Sequence, residues 1–293
     1  MAILISKDSR VLVQGITGKS GALQTKLMIE AGTRIVAGVT PGKGGQEVCG
    51  VPVFDSAAEA QQAVGFDTAI CFVPPRAAKD SVMEVTDAGA KLVVLPTEEM
   101  ASLDVVQTIA YAKSHGVTLI GPGCSGVIAP GICKVGSHPV RFFKKGSVGV
   151  ISKSGALSYE VGKTLSEAGI GQSSVIGLGG GPVWGFTQRD AVEAYNNDPD
   201  TEVIVLLGEI GGSSEEEAAD WIRDHCRKPV VSLIVGQYAP VGRNLGHAGA
   251  IIRGNTGTAK TKINALSAAG VIMVNSPAEM VNVIRRLLGQ GKE

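Results

Sequence analysis

The feature that most constrains the fold of this chain is a regular alternation of short apolar runs with helical segments. Apolar runs such as Ile35–Val39 and Leu92–Leu95 end in small or turn-forming residues, and stretches with helical periodicity follow them. Short β-rich runs separated by helices are typical of a parallel, doubly wound sheet, so the sequence predicts an α/β fold. The predicted strands are Val11–Val13, Ile35–Val39, Ala69–Val73, Leu92–Leu95, Val117–Ile120, Val148–Ile151, Val175–Gly177, Val203–Leu207, Val230–Val235 and Val271–Val274, with helices over Ala22–Ala31, Ala77–Ala88, Val105–Ala112, 155–168 and Ala278–Leu288.

The alternation is interrupted once, between Gly121 and Gly146. This stretch is rich in proline and glycine and has little periodicity, and the strand, turn and helix pattern restarts after it at Val148. A chain of 293 residues is long enough for two ordinary domains. We therefore predict a first domain over residues 1–125, and a connection followed by a second domain over residues 126–293.

The composition argues against several classes of partner. Lysine plus arginine and aspartate plus glutamate each number 27, and aromatic residues make up 4%, so we expect no nucleic-acid partner. We expect no membrane partner either, because no uncharged apolar run is long enough to cross a bilayer and the first residues do not resemble a signal peptide. The five cysteines form no C-x-x-C pair, which predicts free thiols, no metal site and a cytoplasmic location.

A glycine-rich loop over residues 15–21, GITGKSG, joins the first predicted strand to the first helix. Backbone N–H groups and the helix dipole make such a loop a natural phosphate site. It is not a Walker A loop, because Val13 stands where the first glycine should be, and Thr17 breaks the dinucleotide fingerprint. The loop after the second strand carries Lys43 and no carboxylate, which suits the extra phosphate of CoA or of NADP and leaves both ligands open.

One histidine, His247, lies among very small residues in the run GHAGA, where a large charged reactant can approach its ring. Glu209 ends an apolar strand and can hold one ring nitrogen as a hydrogen-bond donor, which leaves the other free to attack a γ-phosphoryl group. The helix start at Ser154-Gly155 can accommodate the negative charge of the product. These three features together predict a histidine that forms a covalent bond with phosphorus.

The other three histidines fit structural roles. His115 and His225 lie near the C-terminal ends of helical patterns, where a cation complements the helix dipole. His138 lies in the proline- and glycine-rich stretch, and we expect it to be solvated. The glycines beside His247 lead to the hypothesis that its loop carries the phosphoryl group from a nucleotide site to an acyl and CoA site.

Several stretches carry a family resemblance: VQGITGKSG, GVTPGKGG, ISKSGALSYE, GEIGGSSEEEAA and GHAGAII. On these motifs the chain resembles, nearly end to end, the α subunits of succinyl-CoA synthetases, the ADP- or GDP-forming succinate–CoA ligases. The last two motifs are highly specific when they occur together. The resemblance implies a Rossmann-like CoA-binding domain followed by a flavodoxin-like, doubly wound ligase domain that carries the phosphohistidine.

The resemblance also implies roles for individual residues. His247 matches the phosphorylated histidine, Glu209 its orienting carboxylate, and Tyr159 a position near the substrate. The nucleotide, ATP or GTP with Mg²⁺, is implied to bind a separate β subunit of the ATP-grasp type, in a heterodimer or heterotetramer. The residues implied or predicted to contact CoA are Gly15, Thr17, Gly18, Lys19, Ser20, Lys43, Pro96, Thr97 and Glu98, and those predicted to bind phosphate are Ser154 and Gly155.

The implied reaction is a reversible acid–thiol ligation in three steps, of the kind used in the tricarboxylic acid cycle. A nucleoside triphosphate phosphorylates His247, the phosphoryl group moves to a dicarboxylate to form an acyl phosphate, and the CoA thiol then displaces phosphate. The family commonly has other residues at Gly123, Ser125, Lys153 and Gly181, so malate–CoA and citrate–CoA ligases remain alternatives to a succinate–CoA ligase.

Two further classes stay open at this point. An NADP-dependent oxidoreductase would use the first domain but would leave Glu209 and His247 without a role. A non-catalytic CoA-sensing module would bind CoA without forming phosphohistidine. The choice between ATP and GTP is a property of the partner, and the sequence does not distinguish an αβ from an α₂β₂ assembly.

Overall fold

The computed structural model describes residues 3–238, 246–252 and 257–289, and it confirms the predicted α/β class. The chain forms two compact units. The first comprises Leu4–His138 and Val183–Phe186, and the second comprises Pro139–Pro182 and the described residues from Thr187 onward, together with Ile3. The assignment of residues 1–125 and 126–293 to two functional domains stays a prediction.

The first unit contains a sheet covered by helices. Its sheet order is β3-β4-β2-β1-β5-β6-β7, with β3 antiparallel and the other strands parallel. The elements in chain order are β1 (Val11–Gln14), α1 (Lys19–Glu30), β2 (Ile35–Val39), β3 (Glu47–Val48), β4 (Val51–Phe54), α2 (Ala57–Ala63), β5 (Thr68–Cys71), α3 (Pro75–Asp87), β6 (Leu92–Val94), α4 (Ser102–Ser114), β7 (Thr118–Ile120), β8 (Gly126–Ala129) and β9 (Cys133–Gly136).

Counted along the chain without the short β3, the parallel strands of this sheet lie in the order 3-2-1-4-5-6, which is the order of dinucleotide-binding Rossmann folds. The strand order reverses between β1 and β5, which pair in parallel from Val11↔Thr68 to Gln14↔Cys71. Ligands of such sheets bind outside the carboxyl ends of the strands near this reversal. The loop over residues 15–18 leaves β1 at that place.

The prediction of an irregular connection over Gly121–Gly146 is wrong in its middle part. Strands β8 and β9 form an antiparallel hairpin, and a short 3-10 helix over Val140–Phe142 follows it. The two strands are buried at every position, so no alternation of polar and apolar residues marks them in the sequence.

The expectation that His138 is solvated is also wrong. His138 is fully buried at the end of this segment, and its carbonyl oxygen accepts a hydrogen bond from Lys134 Nζ at 3.0 Å. Burial, and then the nearby Lys134 charge, lower the pKa of His138 to about 3. The imidazole of His138 is therefore neutral in the folded protein at ordinary pH.

The second unit contains another wound sheet, whose parallel strands lie in the order β14-β13-β12-β10-β11. Numbered along the chain this is 5-4-3-1-2, the flavodoxin-like order, so the predicted fold class is confirmed for both sheets. Its elements are β10 (Lys145–Ser152), α5 (Gly155–Glu167), β11 (Gln172–Gly177), α6 (Gln188–Asn197), β12 (Val203–Glu209), α7 (Ser214–His225), β13 (Val230–Val235), α8 (Ala259–Ala268), β14 (Ile272–Met273) and α9 (Pro277–Leu287).

Helices pack against this sheet and its central strand β12 is buried throughout. Tyr195 of α6 packs its ring onto Gly149 of β10, where an added Cβ would lie 2.5 Å from the ring. The Tyr195 hydroxyl donates to the carbonyl of Ser174 at 2.9 Å. Of the helices in the described part of the chain, none is long and apolar enough to cross a membrane.

Candidate active site

The register of the second sheet brings several loops to one edge. Strands β10 and β12 pair in parallel with Ser152 opposite Leu207, so Ser154 and Glu209 both lie at the carboxyl ends of adjacent strands. Strand β11 pairs with the other side of β10, and its carboxyl end leads into Gly179-Gly180 at the same edge. The strand order reverses between β10 and β12, which is where ligands of such folds bind.

His247 and Glu209 form a short hydrogen bond at this edge. The imidazole Nδ1 lies 2.7 Å from Glu209 Oε2, and the side chains are 34% and 11% exposed. An ionised carboxylate can only accept, so Nδ1 carries the proton and Nε2 of a neutral imidazole keeps its lone pair. The sequence predicted this contact between the two side chains. The roles of His247 as a nucleophile and of Glu209 as the carboxylate that fixes its tautomer stay predictions.

The His247 loop docks on backbone atoms. The Gly249 N–H donates to the Gly180 carbonyl at 3.0 Å, and the Ala250 N–H donates to the His247 carbonyl at 3.0 Å. The imidazole packs closely on Gly180, where an added Cβ would be 2.2 Å from His247 Cγ. An added Cβ on Gly211 would be 2.0 Å from the Gly249 carbonyl oxygen. The ring and its loop can approach this closely only because glycines stand at these positions.

The helix start predicted to bind phosphate lies two residues beyond β10. Ser154 is the N-cap of α5, and its side chain accepts a hydrogen bond from the Leu157 N–H at 3.3 Å. Ser152 holds the turn, because its hydroxyl donates to the Ser154 carbonyl at 2.7 Å and accepts from the Ser154 N–H at 3.1 Å. The first turn of α5 has no acidic residue, so its positive end is not neutralised by the helix itself. The roles of Ser154 and Gly155 in binding phosphate stay predictions.

Sequence reasoning missed a buried charged cluster beside this edge. Glu215, which is fully buried, forms ion pairs with Lys153, at 2.8 Å, and with Lys262. Burial alone would raise the pKa of Glu215, but the two lysines outweigh it and hold the pKa below its ordinary value. In sequence, Glu215 belongs to an acidic run that looks like the solvated first turn of a helix. Lys153, its partner in the fold, directly follows the buried end of an apolar strand. That apolar context was the available signal.

In the first unit, the glycine loop has the features of an anion site. Gly15 has a φ of +73°, and an added Cβ would lie 2.2 Å from the Phe72 carbonyl oxygen. Helix α1 begins after Gly18, has no acidic residue in its first turn, and exposes Lys19 and Ser20. Such a helix start can receive a phosphate group, so the residues fit the phosphates of a nucleotide such as CoA.

The other predicted CoA contacts belong to loops at the same edge of the first sheet. Lys43 is exposed in the turn after β2, and the Thr17 hydroxyl lies 3.1 Å from the Thr40 hydroxyl at the start of that turn. Pro96, Thr97 and Glu98 follow β6, and the Thr97 hydroxyl donates to the Val73 carbonyl at 2.8 Å. The structure thus brings the predicted residues to the carboxyl ends of parallel strands of one sheet, and their contacts with CoA stay predictions.

Tyr159 lies on α5 and is half-buried. Its ring packs against Phe142 and Phe143, with centroids 6.5 and 6.4 Å apart. This places Tyr159 in an aromatic cluster of the second unit. Its predicted proximity to the acid substrate stays a prediction.

Comparison with known proteins identifies the family. Residues 6–99 match the CoA binding domain family, and residues 151–272 match the CoA-ligase family. Over 290 residues the chain is 47% identical to the α subunit of the ADP-forming succinate–CoA ligase of Aquifex aeolicus, covering 98% of this chain and 95% of that protein. It is also 47% identical over 280 residues to the corresponding α subunit of Staphylococcus aureus, covering 96% and 93%. The chain belongs to the succinate–CoA ligase α-subunit family.

Solved structures share the fold of this α-subunit family member at lower sequence identity. The ATP citrate lyase of Methanosaeta concilii, in complex with (3S)-citryl-CoA, superposes with a TM-score of 0.89 at 23% identity and covers 99% of this chain. An acetyl-coenzyme A synthetase of Ca. Korarchaeum cryptofilum gives a TM-score of 0.75 at 20% identity over 92% of this chain. This chain spans 51% and 58% of those longer chains, respectively. These likenesses support the fold.

Proposed function

We propose that this chain is the α subunit of an NDP-forming succinate–CoA ligase, in which His247 carries the phosphoryl group between nucleotide and acid. The observation that carries the proposal is the 2.7 Å contact between His247 Nδ1 and Glu209 Oε2 at the carboxyl edge of the second sheet. The names of relatives that are 47% identical over nearly the whole chain support succinate as the acid.

His247 acts as the nucleophile. Its Nε2 lone pair forms a bond with the γ-phosphorus while the bond from that phosphorus to the departing nucleoside diphosphate breaks. Nδ1 keeps its proton, and the positive charge that develops on the ring is stabilised by the Glu209 carboxylate 2.7 Å away. Transfer of the phosphoryl group from Nε2 to the acid carboxylate restores the neutral ring and gives an acyl phosphate.

The two remaining reactants are CoA, which would bind the first unit, and the nucleotide, which would bind the partner subunit. CoA supplies the thiol that accepts the acyl group, and the glycine loop over residues 15–18, Lys19 and Lys43 would hold its phosphates. ATP or GTP with Mg²⁺ would bind a β subunit of the ATP-grasp type, in an αβ or α₂β₂ assembly. The cysteines of the described chain are free thiols, which supports the cytoplasm as the location.

The test is labelling of the assembled αβ enzyme with γ-phosphate-labelled ATP and GTP. We expect an acid-labile, base-stable label on this chain that His247→Asn abolishes. His115→Asn is the matched control, because His115 lies at the C-terminal end of α4 and bonds the Tyr111 carbonyl. Labelling that survives His247→Asn would remove the phosphohistidine assignment.

The acid is identified by discharge of the labelled enzyme. Succinate with CoA should release the label as phosphate faster than malate or citrate. Discharge by malate or citrate instead would keep the phosphohistidine but change the substrate. CoA binding without any label on histidine would favour a CoA-sensing module.

A further inference from the structure

The buried carboxylate of Glu215 contacts the backbone of the residue that orients His247. The Glu209 N–H donates to Glu215 Oε1 at 3.2 Å. The Glu215 side chain packs against Gly208, where an added Cβ would lie 2.8 Å from Glu215 Cγ. The end of β12 is therefore held against the first turn of α7 by a hydrogen bond to an ionised acceptor and by close packing.

The same carboxylate joins two further segments. Lys153 Nζ lies 2.8 Å from Glu215 Oε1, and Lys153 directly precedes the Ser154 helix cap. Lys262 of α8 contacts the other oxygen, Glu215 Oε2, and its Nζ also donates to the Gly212 carbonyl at 3.0 Å. Lys153, Glu215 and Lys262, hereafter the buried triad, each have side chains at most 3% exposed.

The segments joined by the buried triad are those that form the candidate active site. Glu209 supplies the carboxylate, and Ser154 begins the helix predicted to face the phosphoryl group. The turn at Gly211-Gly212 packs on the His247 loop, since an added Cβ on Gly211 would lie 2.0 Å from the Gly249 carbonyl oxygen. Three separate pieces of the site are thus fixed to a single carboxylate.

Stability alone is a weak reason for burying these charges. An apolar cluster of similar volume is often as stable as a buried ion pair or triad, because removing the charges from water is costly. A fixed ionic arrangement does, however, define where its partners lie. We propose that Glu215, with Lys153 and Lys262, is a positioning residue that sets the Glu209 carboxylate against His247 Nδ1 and thereby fixes the reactive tautomer of the ring.

This inference rests on the proposed function for its catalytic consequence, but its geometric consequence can be measured without catalysis. The first experiment uses the full chain labelled with ¹⁵N-histidine, and two-bond ¹H–¹⁵N correlations at about pH 8 report the tautomer of each ring. The His247→Asn spectrum assigns the His247 signals. We expect the wild-type ring to be protonated at Nδ1.

The variants are Glu215→Gln and Glu215→Asp. The first removes the charge, and the second keeps the charge, so that the buried lysines stay compensated, but withdraws the carboxylate from the Glu209 N–H. The control is Tyr195→Phe, which removes a buried hydroxyl that donates to the Ser174 carbonyl. Ser174 lies in the middle of β11 in the same sheet, away from the carboxyl end of the strand. It reports the effect of lost stability alone.

We expect both Glu215 variants to shift the His247 tautomer ratio toward Nε2–H by roughly tenfold, the lower end of the loss of activity that follows when an outer orienting group is removed from a metal site. In the assembled enzyme the rate of His247 phosphorylation should fall by about 10- to 100-fold, with the KM for CoA unchanged. Tyr195→Phe should change neither. If Glu215→Gln does not fold, Glu215→Asp decides the question by the same two measurements.

Folded Glu215 variants with the wild-type tautomer ratio and phosphorylation rate would overturn the proposal. A shifted tautomer ratio in a protein whose wild-type form takes no label would leave the positioning role in place and remove the proposed function. If Tyr195→Phe lowers the phosphorylation rate as much as the Glu215 variants do, the buried triad acts only through stability.

Discussion

Gly180→Ala is the sharpest perturbation of the candidate active site, because it adds a single methyl group directly beneath the imidazole. An added Cβ would lie 2.2 Å from His247 Cγ, 2.5 Å from Cδ2 and 2.6 Å from Nδ1. The backbone of Gly180 is outside the left-handed region, so alanine can adopt its conformation without strain. The effect of the substitution therefore falls on the ring.

The size of the effect follows from these distances. Ordinary van der Waals contact begins near 3.4 Å, so the ring must move by about 1.2 Å away from Gly180. A movement of that size takes Nδ1 out of line with the Glu209 carboxylate and weakens the hydrogen bond, which is 2.7 Å long in the structure. A displacement of about 1 Å in a reacting group can cost about 100-fold in rate, or about 2.7 kcal/mol of transition-state stabilisation.

The assay is the single-turnover rate of His247 phosphorylation in the assembled enzyme, measured beside thermal unfolding. The matched control is Gly270→Ala, which has open space around the added Cβ but a φ of +83°. The control should lose about 1 kcal/mol of stability from backbone strain and keep the wild-type rate. Gly180→Ala should lose most of the rate. A wild-type rate in folded Gly180→Ala, or an equal loss in both variants, would refute the argument from the ring position.

Three further outcomes are expected. Glu209→Gln should slow phosphorylation by about 10- to 100-fold, because a neutral amide stabilises the ring charge less, and labelling at the wild-type rate would contradict the orienting role. The pKa of His138, lowered to about 3 by burial and by Lys134, predicts that its ring ¹⁵N signals do not titrate between pH 7 and 5. The unfolded chain takes up a proton at His138 below about pH 6.5, whereas the folded chain does not until about pH 3. The free energy of unfolding should therefore fall by up to about 1.4 kcal/mol per pH unit as the pH falls from about 6.5 toward 3. A titration midpoint of the ring signals near 6.5 would show instead that His138 is solvated. Iodoacetamide followed by peptide mass spectrometry should label exposed Cys49 and spare Cys124, whose thiol is buried with a pKa raised to about 12, and equal labelling of the two would contradict the packing.

The wound α/β fold could be predicted because strand and helix carry different periods. Val230–Val235 is the strand β13 that its apolar run indicates, and the last helix differs from its predicted span by one residue at each end. The pairing of His247 with Glu209 could be predicted from chemistry, since a nucleophilic imidazole needs an acceptor at its far nitrogen. This pairing depends on residue type and local context, and both can be read from the sequence.

The parts that could not be predicted depend on contacts distant in sequence. The hairpin of β8 and β9 is buried on both faces, so it has no alternation by which to be recognised. Glu215 stands in a run of three glutamates that looks solvated, and only the tertiary fold brings Lys153 and Lys262 to it. The burial of His138 has the same cause, because the packing of the hairpin segment decides it.

The docking of the His247 loop through backbone atoms bears on how this chemistry could be transplanted. Gly180 and Gly211 let the loop approach because they have no side chain, and the Gly180 carbonyl accepts a hydrogen bond from the loop backbone. Neither glycine recognises a particular side chain of the loop. A designer grafting the reaction onto another open sheet with the 2-1-3-4-5 strand order would need bare peptide surface at two strand ends and one acid at one of those ends. The residues that select the acid substrate could then be chosen separately.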